Sequence, residues 1–556
     1  MMLSRLYVSF ALLALGPGAL AQQPPTAGGQ MQQIPASPLA PRPPPEFRVQ
    51  PLAAPETGAS DSVKIRIRAL QVIGAQAFAP ADLVALTGFT PGSELSLTDL
   101  RAMAARITEH YRVNGYFVAQ AYLPAQEVKD NSVTIAVAEG RYGQLSVRNQ
   151  STLPDRLVRG TLGGLNTGDP IVTAPLESRL LALSDLPGVT VRSTLVPGAS
   201  IGSSDLIVDV TPGRLLSGSV DADNAGNPYT GTTRVGATVN LNNPLGLGDV
   251  ASLRLLTSGS GLKYGRASYQ LQAGRGQVGI AYSHLEYRLG REFEPLGANG
   301  TTQIASVFGR YPLLRSRNHN LYAQLGYDAK RFEDRVDAVP SVTHKRAGVL
   351  MSSLYGDSSD SFGGGGQTSY GVTLSSGRID IQTPEALAAD AATARTNGRF
   401  NKLSFNAARS QALGGPFSLY AGLSGQVASK NLDVSEQMEL GGMNAVRAYP
   451  EGEAYADEGL LLTIEGRMQL PDFSDRLPGR MQAVAFVDAG SVRTHKEPWV
   501  EGRNRRTLSA VGLGLVWSDP GNFLLRTYYA RKLGSEPATS SPDRSGRFWI
   551  QGVKFF

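Results

Sequence analysis

From about residue 215 to the C-terminus, apolar and polar residues alternate in runs of about ten, separated by short turns or long polar loops. The runs at 233–241, 265–273 and 460–469 are good examples. A period of two is typical of a β-strand with two different faces. The second faces carry many charges, which a dry protein core would not tolerate but a water-filled lumen would. We count about 16 such segments and predict an all-β transmembrane barrel of about 16 antiparallel strands over residues 215–556.

Before the barrel, residues 63–140 form the first of two related modules. Alternation at 63–67 predicts a strand. A helix is predicted after Ser96, because Asp99 lies three residues later and gives a weak capping pair. One face of this helix is apolar and consists of Leu97, Leu100, Met103, Ala104, Ile107 and Tyr111. Two further strands, 116–123 and 132–138, are predicted to close the module.

Residues 141–214 repeat the order of these elements as a second module. A strand at 145–147 is followed by a short helix at 154–162 and a second helix near Pro175. Two strands at 189–196 and 206–210 then complete it. This β-α-α-β-β order, repeated over two adjacent stretches, resembles the POTRA (polypeptide-transport-associated) domain. The resemblance implies two α+β POTRA domains in front of the barrel.

The N-terminus has the pattern of an export signal. Arg5 precedes a short apolar run, and a small-x-small cleavage site follows at 19–21, so we predict a signal peptide over residues 1–21. The run is too short to span a bilayer. Residues 22–62 are rich in Pro, Ala and Gln, and this composition predicts an extended linker. The exported chain would therefore enter a membrane as a closed barrel.

Composition excludes several kinds of site. The chain has no cysteine, and its net charge of +6 comes without basic clusters, so we expect no thiolate metal site and no nucleic acid partner. No nucleophile elbow, zinc-protease motif or nucleotide-binding loop is present. The five histidines lack the spacing of metal ligands. We predict no enzymatic activity, no catalytic residues, no cofactor and no bound metal.

Two short segments of the barrel carry charges that could meet. Arg447 lies in the long loop 428–459, which we call the lumen loop because we predict that it folds into the lumen. Asp488 lies in a strand whose lipid-facing residues would include Val487, so that the carboxylate points inward. An inward carboxylate and a loop arginine can form a bidentate ion pair. Taken singly, each is more simply explained as a solvated side chain.

Together, and behind two POTRA-like modules, these segments resemble the TpsB transporters of two-partner secretion. This haemolysin and filamentous-haemagglutinin exporter family belongs to the outer-membrane assembly-factor superfamily. The segment 446–449 (Val-Arg-Ala-Tyr) is similar to the V-R-G-F/Y motif of the family's sixth loop, and 486–490 (Phe-Val-Asp-Ala-Gly) to its F-x-D-x-G wall motif. The resemblance implies a lock between loop and wall, made of Val446, Arg447, Tyr449, Phe486, Asp488 and Gly490.

The resemblance also implies a function and a location. The chain would recognise a secreted partner (a TpsA-like exoprotein) in the periplasm and pass it through an outer-membrane barrel without nucleotide hydrolysis. Capture by β-augmentation would use two strand edges, whose candidate residues are Tyr116, Val118, Gln120, Tyr122, Val189, Val191 and Leu195. Outer-membrane lipid would surround a monomer inserted by the barrel-assembly machinery, which typically reads an aromatic terminal strand such as 548–556.

Two other functions fit parts of the pattern. An assembly factor or insertase would share the barrel, the loop motif and the POTRA domains, but two domains is the exporter pattern. A general porin would explain porin-like activity but neither the repeated module nor the paired motifs. A neighbouring gene for a large secreted β-helical protein would favour the exporter.

The sequence departs from the family at two places. Ala448 stands where the family usually has glycine, which is possible only if the position does not need a positive φ. The family often begins with a helix that plugs the lumen, but the prolines in 22–62 make a long helix improbable. Residues 31–34 could begin only a short one.

Overall fold

The computed structural model describes residues 24–38, 46–49, 63–200, 202–471 and 477–556. The predicted signal peptide, 1–21, lies outside the described residues. Within them, no helix is both long enough and apolar enough to cross a membrane.

The described part of the proline-rich stretch is not a plain linker, because it contains two regular elements. A short helix, α1 (Ala27–Gln32), begins four residues before the predicted position and lies inside the barrel. A strand, β1 (Glu46–Val49), joins the sheet of the second module. Tertiary contacts rather than local propensity account for both, since α1 contains two glycines and leaves Ala27 through Gln30 fully buried.

The first module packs two helices on small sheets. Its strands and helices are β2 (Lys64–Ile67), β3 (Ala69–Ile73), α2 (Pro80–Leu86), β4 (Ser93–Ser96), α3 (Leu97–Val113), β5 (Gln120–Tyr122) and β6 (Ser132–Ala138). The sheet order β3-β6-β5 leaves β5 at an edge, and β2 pairs with β4. The helix predicted after Ser96 is confirmed, with a complete capping box between Ser96 and Asp99. The sequence pattern did not predict α2.

The second module has the same arrangement and gains a strand. It contains β7 (Arg141–Asn149), α4 (Asp155–Thr161), α5 (Thr173–Ser184), β8 (Val189–Pro197) and β9 (Ser203–Pro212). The sheet order is β1-β8-β9-β7, so β1 covers the edge of β8. Val158 of α4, leucines of α5 and alternate residues of β8 and β9 form one buried core. This alternation is why the period of two in 189–210 predicted the strands correctly.

A buried carboxylate joins the two modules. Glu139 accepts hydrogen bonds from the N–H groups of Gln76 and Ala77 at 2.5 and 2.7 Å and from the Tyr111 hydroxyl at 2.9 Å. Arg141 lies 3.4 Å away. Burial would raise the pKa of Glu139, but these donors outweigh burial and hold the pKa below its ordinary value.

Replacing Glu139 with glutamine is expected to destabilise the junction by about 1–2 kcal/mol at neutral pH, because charge-assisted hydrogen bonds are lost. A lowered folded-state pKa means that the stabilisation is present above the unfolded pKa and is lost as the pH falls through the folded value. The difference between the two proteins should therefore begin to shrink below about pH 5, as the pH approaches the pKa of the unfolded state. Amide hydrogen exchange of residues 132–140 at pH 7 and pH 4 measures this difference in stability. An equal difference at the two pH values would contradict the prediction.

The remaining chain closes into a barrel of sixteen antiparallel strands, and the predicted fold class is confirmed. Sixteen consecutive strands pair in order, and the last pairs with the first. The strands are β10 (Leu216–Asp223), β11 (Arg234–Asn242), β12 (Val250–Thr257), β13 (Leu262–Ala273), β14 (Gly276–Arg288), β15 (Ala298–Arg315), β16 (His319–Val336), β17 (Ser341–Asp360), β18 (Gly366–Ile381), β19 (Gly398–Gly414), β20 (Phe417–Ala428), β21 (Glu458–Gln469), β22 (Arg480–Arg493), β23 (Arg505–Asp519), β24 (Phe523–Lys532) and β25 (Gly546–Phe555). A helix, α6 (Pro384–Ala392), follows β18.

The two faces of the barrel wall differ as the alternation predicts. Apolar side chains point outward and are exposed in the isolated chain, including Val235, Val239, Leu253, Leu255, Ile280, Leu325, Leu350, Leu460, Leu462, Val487, Leu513 and Ile550. The opposite face carries buried ion pairs, such as Arg254 with Asp221 and Arg234 with Asp223. A lipid-facing outside and a charged inside follow directly from one period-two pattern.

The second module is fixed to one rim of the barrel. Arg315, at the end of β15, makes a bidentate ion pair with Asp185 at 2.7 and 2.9 Å. The Asn243 amide, in the turn between β11 and β12, donates to the Thr152 hydroxyl at 2.8 Å. These contacts place the modules at the end of the barrel where the short turns lie.

Candidate functional site: a loop and a helix inside the barrel

The lumen loop connects β20 to β21 and lies within the barrel. Its buried apolar residues pack with wall residues of β22–β25 in one cluster. Short internal turns keep its tip compact, since the N–H of Val446 donates to Leu440 O at 2.8 Å and that of Gly442 to Tyr449 O at 3.1 Å. The loop is therefore a folded element inside the lumen.

Arg447, at the tip of this loop, is held by the barrel wall. Its Nε and one Nη donate to the two carboxylate oxygens of Asp488 at 2.8 and 2.7 Å, and its backbone N–H donates to the same side chain at 3.1 Å. The other Nη donates to Glu465 at 2.8 Å. Arg447 is 4 % exposed and Asp488 0 %. This is the bidentate geometry in which arginine binds carboxylates most strongly.

Aromatic rings complete the site around the guanidinium. The centre of the guanidinium lies 3.3 Å from the ring centroid of Phe486 and 5.0 Å from that of Tyr528, within cation–π range. Trp549 donates its indole N–H to the carbonyl of Arg447 at 2.6 Å. On β23, a Cβ at Gly512 would lie 2.3 Å from the Phe486 ring, so only glycine leaves room for it.

The other predicted lock residues also converge here. Val446 and Tyr449 are fully buried, and the Tyr449 hydroxyl donates to Glu536 O at 2.9 Å. Gly490 lies under the loop, where a Cβ would be 2.7 Å from the Leu440 side chain. Ala448 is buried and does not have a positive φ, so a glycine is not required at this position.

Sequence reasoning missed the second carboxylate of the lock. Glu465 of β21 lies beside Phe486 of β22 in the register and binds both Arg447 and Arg467. In the alternating run 460–469, Glu465 falls on the face opposite Leu460 and Leu462, which is the inner face. The signal that could have identified it is an inward charge on the neighbouring strand, one inward position away from the partner of Asp488.

A second set of ion pairs anchors the base of the lumen loop to the opposite wall. Glu436 binds Lys330 of β16 at 2.6 Å and Lys402 of β19 at 3.0 Å. Asp433 binds Lys345 of β17 at 2.8 Å. The sequence pattern did not predict this anchor, because the lysines lie on three strands outside the loop and distant from it in sequence.

Helix α1 fills the space between the lumen loop and the wall. The N–H of Ala27 donates to Asp334 at 2.7 Å, and the Arg234 guanidinium donates to Gln33 O at 3.0 Å. The Gln33 amide donates to the Tyr455 hydroxyl of the loop at 2.6 Å. A Cβ at Gly28 would lie only 2.8 Å from Cβ of Ser435, so the helix approaches the loop closely.

The predicted partner-binding edges are only partly strands. Of 116–123, only β5 is a strand: Tyr116 and Val118 lie in a turn, where the Tyr116 ring packs on Tyr111. Gln120 and Tyr122 do lie on the free edge of β5. The predicted edge 189–195 is in β8, but its edge is not free. It is paired with β1 opposite Arg192 through Leu195. The side chains of Val191 and Leu195 face the core.

These elements together close the barrel from inside. The lumen loop and α1 are tied to one another and to strands on both sides of the lumen. None of the described residues forms a group of His, Asp and Glu that could hold a metal ion. Ion pairs between the lumen loop and the wall engage charges on both sides of the lumen.

Comparison with known proteins gives a consistent result. Residues 202–516 match the family described as haemolysin secretion/activation protein ShlB/FhaC/HecB, and residues 65–140 match the POTRA domain, ShlB-type. The heme/hemopexin transporter protein HuxB of Haemophilus influenzae is 29% identical over 472 residues, covering 84% of this chain and 82% of HuxB. The outer membrane transporter CdiB of Dickeya dadantii is 25% identical over 420 residues, 72% of each chain.

A solved structure supports the fold. CdiB from Escherichia coli superposes with a TM-score of 0.67 at 20% identity, covering 91% of this chain and 93% of that chain. The family matches span both the first module and most of the barrel. The chain therefore belongs to the ShlB/FhaC/HecB family of TpsB-type transporters, proteins of the outer membrane whose POTRA domains lie in the periplasm.

Proposed function

We propose that this transporter recognises a secreted partner protein in the periplasm and passes it through its own barrel without nucleotide hydrolysis. The observation that carries the proposal is a lumen closed by parts of the chain itself, directly beyond two POTRA-type modules. Such a passage can open by rearrangement, and folding of the partner outside the cell would drive the transfer. The relatives named as transporters of heme/hemopexin and as CdiB are compatible with a large exported partner.

In this proposal the lock residues are structural and not catalytic. Arg447 and Asp488 hold the lumen loop in its closed position, with Val446, Tyr449, Phe486 and Gly490 shaping the contact. The free edge of β5 offers backbone groups for β-augmentation by an extended partner segment. The chain would act as a monomer, inserted by the barrel-assembly machinery, and would need no cofactor.

The alternative function is that of an assembly factor or insertase for other outer-membrane proteins. Both functions use a barrel and POTRA domains, so the fold alone does not separate them. The two-module organisation and the match to secretion proteins over residues 202–516 favour export.

Co-expression with the exoprotein encoded by the adjacent gene tests the proposal. We expect the exoprotein in the culture medium when the transporter is present and in the periplasm when it is absent. A strain that lacks the transporter but secretes normally would contradict export. Loss of several unrelated barrel proteins from the outer membrane, with secretion unchanged, would favour the insertase.

A further inference from the structure

The loop that connects β24 to β25 lies against the lumen loop. We call residues 533–545 the outer loop. Strand β10 begins beside the second module, and the sixteen strands alternate in direction, so the connection after β24 lies at the opposite end of the barrel, which faces the cell exterior. Ala538 of the outer loop packs on the apolar cluster that the lumen loop forms with the wall. The outer loop therefore covers the lumen loop at its exterior end.

One side chain of the lumen loop, Glu453, is enclosed by this contact and is 0 % exposed. The N–H groups of Thr539 and Ser540 donate to its carboxylate at 3.0 and 2.9 Å, and the hydroxyls of the same two residues donate at 2.7 and 2.6 Å. Two consecutive N–H groups that point at one carboxylate form an anion-binding nest. The outer loop is thus shaped around a single carboxylate of the lumen loop.

The backbone of Glu453 supports the tip of the lumen loop. Its carbonyl accepts hydrogen bonds from the N–H groups of Leu440 and Gly441 at 3.0 and 3.2 Å. A Cβ at Gly441 would lie 2.5 Å from Cβ of Glu453, so the two backbone segments are in close contact. Leu440 O in turn accepts the N–H of Val446, the residue before Arg447. Glu453 is therefore fixed by its backbone within the lumen loop and by its side chain on the outer loop.

Arg506 of β23 fastens the same carboxylate to the wall. One Nη donates to Glu453 at 2.6 Å, and the other donates to Pro537 O at 2.9 Å. Its Nε donates to the Glu536 carboxylate at 3.2 Å. Charge-assisted bonds of this kind are among the stronger hydrogen bonds in proteins. The lock around Arg447 uses carboxylates of β21 and β22 instead, so the contact at Glu453 is a second, separate fastening.

We propose that Glu453 is a positioning residue that latches the outer loop onto the lumen loop, and that this latch closes the exterior end of the passage. Opening toward the outside then requires release of two fastenings, the lock on the wall and the latch at Glu453. This inference goes beyond the proposed export function. The latch belongs to the resting transporter, so it can be measured without a secreted partner.

A cysteine in the outer loop reports whether the latch is closed. The chain has no cysteine, so Ala538→Cys introduces a single thiol. We expect a membrane-impermeant maleimide, added to intact cells, to label this thiol at least about fivefold faster when Glu453→Gln is also present. Glutamine keeps the shape of the side chain, but its NH₂ group cannot accept a hydrogen bond. Either the Ser540 N–H or the Arg506 guanidinium therefore loses its carboxylate acceptor.

Two further variants show that the effect belongs to the latch. Glu451→Gln is the matched control, because Glu451 is also a buried glutamate of the lumen loop and accepts the N–H of Met443 within that loop at 2.9 Å. Its labelling rate should equal that of Ala538→Cys alone. Arg447→Ala releases the lock but leaves every donor to the Glu453 carboxylate in place, so its labelling rate should rise less than that of Glu453→Gln.

Two outcomes would overturn the inference. Equal labelling rates with and without Glu453→Gln would show that Glu453 does not hold the outer loop. A rise in Arg447→Ala as large as that in Glu453→Gln would show that the lock alone holds it. If Glu453→Gln does not insert, as judged by electrophoretic migration on heating, Thr539→Val with Ser540→Ala removes the two hydroxyl donors from the outer loop and should also raise the labelling rate.

Discussion

Replacement of Arg447 with alanine is expected to reduce secretion of the partner to less than about a tenth of the wild-type level, because removal of one member of a buried ion pair costs about 3–5 kcal/mol. The substitution leaves the buried Asp488 carboxylate without a guanidinium, and leaves Glu465 with Arg467 alone. It also removes the cation that lies over Phe486. The lumen loop would lose its place on the wall while the sixteen strands stay paired.

Two matched variants separate the lock from a general loss of charge. Arg467→Ala removes another arginine bound to Glu465, but its side chain is 27 % exposed and does not belong to the loop, so secretion should stay near normal. Arg447→Lys keeps the positive charge but cannot form the bidentate ion pair. Its secretion should therefore lie between that of Arg447→Ala and that of the wild type. The amount of exoprotein in the medium is measured. A change in electrophoretic migration on heating checks that the barrel of each variant is folded. Normal secretion by Arg447→Ala would contradict the proposed role of the lock.

Gly28→Ala is expected to raise single-channel conductance at least about threefold, because a side chain there displaces α1 from the lumen. The new Cβ would lie 2.8 Å from Cβ of Ser435 and 3.2 Å from its backbone, and neither group can move freely within the loop. Gly29→Ala is the matched control, since its Cβ would meet the nearest atoms at ordinary distances of 3.4–3.6 Å.

Planar bilayer recordings of the purified proteins make the measurement. Deletion of residues 24–36, which removes α1 altogether, gives the upper limit of conductance. We expect Gly28→Ala to approach this limit and Gly29→Ala to match the wild type. If the deletion conducts no better than the wild type, α1 does not obstruct the passage, and both glycine predictions fail with it.

The barrel and the inward direction of its wall carboxylates could be predicted because each depends on a local pattern. Alternation alone placed Glu465 and Asp488 inside and Leu460 and Val487 outside, since successive strand residues must face opposite sides. The helix after Ser96 was predictable because the residues of its cap and of its apolar face all lie within one continuous segment. The pairing of Arg447 with Asp488 needed the resemblance to a family, as each residue alone is compatible with a solvated side chain.

The rest of the site depends on contacts between distant segments. Lys330, Lys345 and Lys402 lie on three strands, and nothing in their local sequence indicates that they meet Glu436 and Asp433. Helix α1 has two glycines and poor intrinsic helix propensity, so it forms because the lumen accommodates it. Strand β1 adopts its extended form only because β8 offers an edge, which no pattern within the proline-rich stretch reveals.

The positions of α1 and β1 also determine how far α1 can travel. Thirteen residues, 33–45, separate Gln32 in the lumen from Glu46 at the periplasmic module. A chain of that length reaches at most about 50 Å when fully extended, and the hydrocarbon core alone is about 30 Å thick. While β1 stays on β8, α1 can therefore move only within about 50 Å of the second module. If α1 is displaced toward the periplasm, this tether keeps it next to the lumen, so that it can return to the same place.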